Sequence, residues 1–168
     1  MKSIPYKNVI ASLNFYNKSQ ALSVTLMKSK LEIDGSNMKL MNKGSIKLEF
    51  LNAFDNPAFP GRSKLSIESK IEAYIHEKEI FEILTRNSTE MEYKNYFQDL
   101  IRLEIKQNAL EWKILKNNEE RIVRLTDHEK TTVKRFLEFS IKYIQGWQCM
   151  GDYRLSNQAL GNKPMTHN

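Results

Sequence analysis

Cysteine is nearly absent from this 168-residue chain, in which Cys149 stands alone. A single thiol excludes an internal disulfide and favours a reducing or otherwise non-secretory compartment. Histidine is almost as scarce. His76, His128 and His167 are too scattered to form a spaced metal set, and the His76–Glu77 step lacks the second histidine that a zinc-hydrolase helix requires. There is no glycine-rich phosphate loop, and Cys149 has no recognisable base partner. The expectation is therefore a non-enzyme with no catalytic residue, cofactor or metal. No apolar run approaches the roughly 20 residues needed to cross a bilayer, and the N-terminus has no secretory apolar segment.

Acid is missing from one region in particular. Residues 1–31 carry Lys2, Lys7, Lys18, Lys28 and Lys30 but no Asp or Glu, whereas residues 66–100 carry eight acids against four bases. The formal charge of +6 and pI near 9.3 favour a polyanionic partner. Segregation of that charge suggests a single binding face. The acid-free, lysine- and serine-bearing N-terminus is compatible with organelle import, although it has no arginine. Its strand pattern begins so early that the numbering is expected to be that of a mature form.

What is present is alternation. With 40% hydrophobic and 27% charged residues, the chain can bury one ordinary core, expected over residues 8–148 with a polar tail at 149–168. Strands are expected at 12–18 and at 21–26, the second continuing loosely to Ile33 before the turn residues Asp34, Gly35 and Ser36. From Gly35 to Phe50 the chain is strand-like, with Ile46, Leu48 and Phe50 on one face and Ser45, Lys47 and Glu49 on the other. The Asn42-Lys43-Gly44 step within it reads as a bulge in preference to a hairpin. Pro57, Pro60 and Gly61 make a loop, followed by a short strand at 64–67.

Ser66 or Ser69 can cap a short helix running through Glu72 to about Ile75. Residues 80–84 then read as a strand and 86–94 as a polar loop. The runs 100–105, 110–114 and 121–125, separated by turns at Gln107-Asn108 and Asn117-Asn118, make an antiparallel meander. Trp112 shares a strand face with Leu110 and Ile114 and belongs to the core. Thr126 and Glu129 have the spacing of a capping box. Val133, Phe136, Leu137, Ser140, Ile141 and Ile144 fall at helical spacing, so a long amphipathic helix should run to about Gly146, with Trp147 folding back as a hydrophobic stop.

The fold class is therefore α+β: strands, a short helix, strands and a long helix, in two halves of about four strands. Residues 14–24, 38–50, Arg124 to Thr126 with Glu129, and 140–147 with its Gly146-Trp147 step resemble the Whirly family, in order over residues 13–147. That family comprises plant organellar proteins that bind single-stranded DNA, similar in fold to trypanosomal mitochondrial guide-RNA-binding proteins. The resemblance implies two four-stranded antiparallel sheets with a short and a long helix across them, a homotetramer assembled through the helices, and strand binding with little sequence preference along sheet edges. The family's Lys-Gly-Lys-Ala-Ala-Leu-Ser motif lies over residues 17–23, where one of its two lysines and its glycine are absent.

A non-specific single-strand binder needs cations for phosphates and flat apolar faces for bases. Lys18, Lys39, Lys43 and Lys47 lie on or beside strands and can supply the first, or can be solvated surface. Tyr16, Phe54 and Phe59 can supply the second, or can be core. Arg102 can contact phosphate and stack, or can form a cross-strand pair with a nearby Glu. Phe136, Phe139 and Tyr143 surround the long helix and, with Trp147, are the expected oligomer interface. The functional expectation is a protein of mitochondria or another organelle that binds single-stranded DNA or RNA without transforming it. A non-catalytic structural subunit of a large organellar assembly, such as a mitochondrial ribosome or replication complex, is the second reading.

Overall fold

Apolar residues at alternate positions force most of this chain into strands that bury one face each. In the computed structural model, which describes residues 9–17, 19–34, 37–42, 44–55, 63–106 and 108–161, the order is β1 (Val9–Tyr16), β2 (Gln20–Met27), β3 (Lys30–Asp34), β4 (Asn37–Asn42), β5 (Ser45–Asp55), β6 (Ser63–Ile75), α1 (Glu77–Thr85), β7 (Thr89–Lys94), β8 (Leu100–Lys106), β9 (Glu111–Lys116), β10 (Glu119–Arg124) and α2 (Asp127–Gly161). Strands β1-β2-β5-β6 form one antiparallel sheet, β10-β9-β8-β7 a second, and β3-β4 a separate two-stranded ribbon. Two four-stranded antiparallel sheets with one short and one long helix are the architecture expected, although the short helix lies at 77–85 and not where it was expected.

One core joins both sheets. Leu22, Val24 and Leu26 of β2, Ile46, Leu48 and Phe50 of β5, and Ile71, Ala73 and Ile75 of β6 meet Ile101, Leu103 and Ile105 of β8 and Trp112 and Ile114 of β9. Ile80 and Ile83 of α1 and Val133, Leu137 and Ile144 of α2 complete it. Trp112 is fully buried, and its indole N–H donates to the Ala109 carbonyl at 2.8 Å. That bond braces a turn in which Asn108 and Ala109 both have positive φ, 56° and 70°. The hairpin at Asn117-Asn118 forms as expected between β9 and β10, with Asn117 at φ 55°. At the start of α2 the capping box is present in full: the Glu129 amide donates to Thr126 Oγ1 at 3.2 Å, and the Thr126 amide to Glu129 Oε1 at 2.9 Å.

Several local readings are overturned, each by packing that short segments cannot reveal. The helix expected up to Ile75 is β6, because Ile71, Ala73 and Ile75 alternate inward while Lys70, Glu72 and Tyr74 alternate outward against β5. The strand expected at 80–84 is the core of α1, in which Ile80 and Ile83, one turn apart, are buried and Phe81 is exposed. The loop expected at 86–94 contains β7, held in register with β8 by Thr89, Met91 and Tyr93 facing inward. Strand β2 does not run on to Ile33; Lys28 and Ser29 separate it from β3. Residues on either side of the 42–44 step do not form one continuous strand, since β4 pairs with β3 and β5 opens in another sheet. Gly44 makes that change of sheet, at φ +103° and so close to Met27 O that an added Cβ would stand 3.1 Å from it. Helix α2 passes through Gly146, where a Cβ would meet nothing within 4 Å, and continues to Gly161. Trp147 therefore lies within the helix and is not a stop. Lys43, Pro57, Pro60, Gly61 and Gln107 lie outside the described residues.

Two sheet edges are closed by side chains where the sheets meet. The Ile122 amide of β10 donates to Gln20 Oε1 at 3.0 Å, and the Tyr74 amide of β6 to the Tyr93 hydroxyl at 3.3 Å. Burial raises the pKa of both Tyr74 and Tyr93; the Glu72 and Glu49 carboxylates push Tyr74 further up, and the bond from the Tyr74 amide partly offsets the rise at Tyr93.

Three outcomes follow from this packing. Trp112→Ala should destabilise the protein by about 3–5 kcal/mol, and Trp112→Phe by about 1–3 kcal/mol through an unsatisfied buried carbonyl, both read from urea unfolding. Thr126→Ala should cost about 1 kcal/mol, and in a double-mutant cycle with Glu129→Ala the two losses should be less than additive because they share one cap. For the tyrosines, a raised folded-state pKa means the native state holds its protons longer, so their contribution is complete below about pH 10 and falls as pH rises through the folded-state values. Urea stability should decline on the alkaline side more steeply in the wild type than in Tyr93→Phe.

Candidate nucleic-acid interface

Among the described residues, strand β1 stands at the end of its sheet and pairs with β2 alone, so its outer edge is a row of backbone groups that none of them pairs. Its inward residues, Leu13 and Phe15, pack on the core, and its outward residues, Ser12, Asn14 and Tyr16, are exposed. Strand register extends this outward face into rows: Tyr16-Ala21-Leu51, Asn14-Ser23-Glu49-Glu72 and Ser12-Thr25-Lys47-Tyr74. The β1–β2 part is small, hydroxylated and amide-bearing; its exposed residues are those of β1, while on β2 Ala21 and Thr25 are buried and Ser23 is half-buried, and Ser12 and Thr25 share a hydrogen bond of 3.2 Å. No carboxylate occurs in the sequence on this pair of strands, so the first acids met are Glu49 and Glu72 on β5 and β6. Lys47 and Lys70 lie 3.5 and 3.4 Å from Glu49.

The outer face of the second sheet is different. Glu90, Glu92, Glu104, Glu111 and Glu120 alternate with Lys94, Arg102, Lys106, Lys113 and Arg124, so five acids face five bases and the surface neutralises itself. Arg102 bonds to Glu90 and lies 3.2 Å from Glu104, and the bond to Glu90 holds its guanidinium pKa above the ordinary value. Lys113 reaches Glu120 at 3.3 Å and Glu104 at 3.6 Å, and its pKa is raised chiefly by the bond to Glu120. A phosphate would have to displace a carboxylate to reach any of these cations.

The structure thus brings together some of the expected site residues and separates others. Tyr16 is 54% exposed at the end of β1, and Lys47 lies two strands away on the same face, paired with Glu49. Arg102 belongs to the other sheet and to its ion pairs. The backbone of Lys39 sits on β4 opposite Glu32, and that of Phe54 on β5 opposite Lys64. Lys18, Lys43 and Phe59 lie outside the described residues.

Of the expected interface residues, Phe136 and Tyr143 pack against their own core, and the Tyr143 hydroxyl accepts from the Ser29 amide at 3.3 Å. Phe139 points outward at 51% exposure, and Trp147 lies on α2 beyond the described side chains. A groove of about 660 Å³ runs between the helices, with Phe81, Ile141 and Ile144 among its apolar walls. No group of three or more His, Cys, Asp or Glu suited to a metal occurs among the described residues, and none of their helices is long and apolar enough to cross a membrane.

Sequence reasoning passed over Tyr96 and Phe97, which follow β7 and are the most exposed large hydrophobic side chains among those described, at 91% and 78%. The available signal was two adjacent aromatic residues set between the polar pairs Lys94-Asn95 and Gln98-Asp99.

No protein-family model matches the chain, and no curated protein matches it either. Solved structures do. The plant transcriptional regulator PBF-2 is 16% identical with a TM-score of 0.65, the match covering 85% of this chain and 86% of that one. WHY3 from Arabidopsis thaliana is 14% identical with a TM-score of 0.65 over 95% of this chain and 98% of its own, and WHY1 from the same plant is 16% identical with a TM-score of 0.65 over 95% and 97%. The paired four-stranded sheets crossed by a short and a long helix are the fold of the Whirly proteins.

Proposed function

We propose that this protein binds single-stranded nucleic acid, without turnover, along the β1 edge and the outward face of β1 and β2. The observation that carries this reading is the absence of acid from residues 1–31, which hold that edge and face in a chain that has 20 acids elsewhere. Phosphate is repelled by carboxylates and attracted by lysines; this strand pair offers hydroxyls, amides and the exposed Tyr16 ring with no negative charge, and the exposed Lys28 directly follows β2. The fold supports the reading, because it is shared over most of the chain with PBF-2, described as a transcriptional regulator.

The role is to sheathe or organise strands during DNA maintenance, transcription or RNA processing in mitochondria or another organelle, with the protein assembled as a homotetramer through its helices. The outward Phe139 and Phe81 and the groove between α1 and α2 leave apolar surface for that assembly. The self-neutralised second sheet favours a further role as a subunit of a larger organellar complex, since such a face suits contact with folded partners better than with a free polyanion.

Fluorescence anisotropy with labelled single-stranded oligonucleotides at low and moderate salt tests the proposal. Binding should show little dependence on base sequence, and its affinity should fall with salt at a log–log slope of about −0.7 per phosphate neutralised. Ser12→Glu and Asn14→Glu, both at exposed outward positions, should each weaken binding by roughly five-fold, as expected for a like charge about 4 Å from a phosphate in water. Lack of binding by the wild type at low salt, or indifference to both carboxylates, would sink the assignment.

A further inference from the structure

We propose that the tip of the β7–β8 hairpin is a stacking platform for unpaired nucleobases, formed by the rings of Tyr96 and Phe97. The inference rests on the nucleic-acid reading and adds a second place of contact to it. The two rings meet edge to face, with centroids 5.5 Å apart and planes at 85°, so each keeps a flat face toward solvent. Exposures of 91% and 78% show that neither ring serves the core.

The loop beneath them is tied down. The Asn95 amide donates to Asp99 O at 3.0 Å, the Asp99 amide to Asn95 Oδ1 at 2.9 Å, and the Gln98 amide to Asn95 O at 2.9 Å, with Gln98 at φ 64°. From the neighbouring hairpin, Asn117 accepts from the Leu100 amide at 3.2 Å and donates to Asp99 Oδ1 at 3.2 Å. A frame bonded on both sides holds the rings out and removes part of the ordering cost of binding.

The surroundings select the ligand. Asn95, Gln98 and Asp99 flank the rings in the same turn and Asn117 is bonded to that turn, while Lys94 is exposed and Lys116 pairs with Asp99 at 3.7 Å. The core of a protein-binding surface calls for a broad apolar patch depleted of charge. Two isolated flat rings among amides match a nucleobase instead, with its face on a ring and its polar edge on side-chain amides, and the lysines within reach of the adjoining phosphates.

The test compares the full-length wild type with Tyr96→Ala/Phe97→Ala and Tyr96→Leu/Phe97→Leu, using a labelled oligothymidylate and an abasic strand of equal length. Both doubles should bind the oligothymidylate more weakly by about five- to one-hundred-fold per base unstacked, with the salt slope unchanged. Phe97→Trp should retain wild-type affinity, and abasic binding should be the same for all. The leucine pair keeps apolar surface while removing the π faces, so it separates stacking from general hydrophobic contact. Wild-type affinity in both doubles, an equal loss on the abasic strand, or a change in oligomeric mass by light scattering, which would mark the tip as a protein contact, overturns the platform alone. Failure of the wild type to bind any strand overturns both this inference and the function it rests on.

Discussion

Sheet edges govern this molecule. Two open antiparallel sheets present four edges of unpaired amides and carbonyls, and each must be covered, paired or left for a partner. Where the sheets approach one another, side chains do the covering: Gln20 takes the Ile122 amide of β10, and Tyr93 takes the Tyr74 amide of β6. Both contacts are made possible by the common core, because Trp112, Phe50 and the aliphatic rows behind them bring the two inner faces together. Among the described residues, strand β1 pairs with β2 only. Structural closure and an available binding edge therefore come from the same arrangement.

Charge divides along the same line. In the second sheet, register sets Glu90 opposite Glu104 and Glu104 opposite Lys113, and the like-charged pair is tolerated because Arg102 lies close to both glutamates. Exposed pairs of this kind add little stability each. Their effect is to consume the charge of the face, leaving Arg102 and Lys113 committed. Strands β1 and β2 carry neither acid nor base, so that face offers no carboxylate to repel a polyanion.

Legibility in the sequence followed the range of the interactions. The capping box at Thr126 and Glu129, the apolar stripe from Val133 to Ile144 and the β8–β9–β10 meander were readable because each is specified within a few residues. The exchange of helix and strand between residues 66 and 84 arose where runs are short. The short apolar run 80–84 reads as a strand until Ile80 and Ile83 are seen to pack together on the core, and the alternation of residues 71–75 is decided by pairing with β5, more than 20 residues earlier. Strand β7 has too few apolar residues to declare itself without β8. For the site, the outward face of Lys47 was legible from the alternation of 45–50, whereas Tyr16 stayed open between surface and core, and the partners that commit Arg102 depend on tertiary register. Tyr96 and Phe97 were visible as a pair; their exposure and bracing were not, since these require Asn117 from another hairpin.

The distance in sequence between this chain and the structures that share its fold has a physical reading. An alternating strand needs only some apolar side chain of suitable size at every second position, so cores tolerate wide substitution while the backbone is kept. Surface chemistry is under no such constraint, and a lysine or aromatic residue can be lost without disturbing the sheet. Fold kinship of this kind therefore carries the framework and not the contacts. The departure of residues 17–23 from the Whirly lysine motif is a case in point. Under the proposed function, nucleic-acid contact would draw on groups this chain possesses: the acid-free β1 edge for the backbone, and the exposed rings of Tyr16, Tyr96 and Phe97 for bases. Because electrostatic attraction weakens with salt while stacking persists, a protein poor in uncommitted cations depends more heavily on its rings as ionic strength rises.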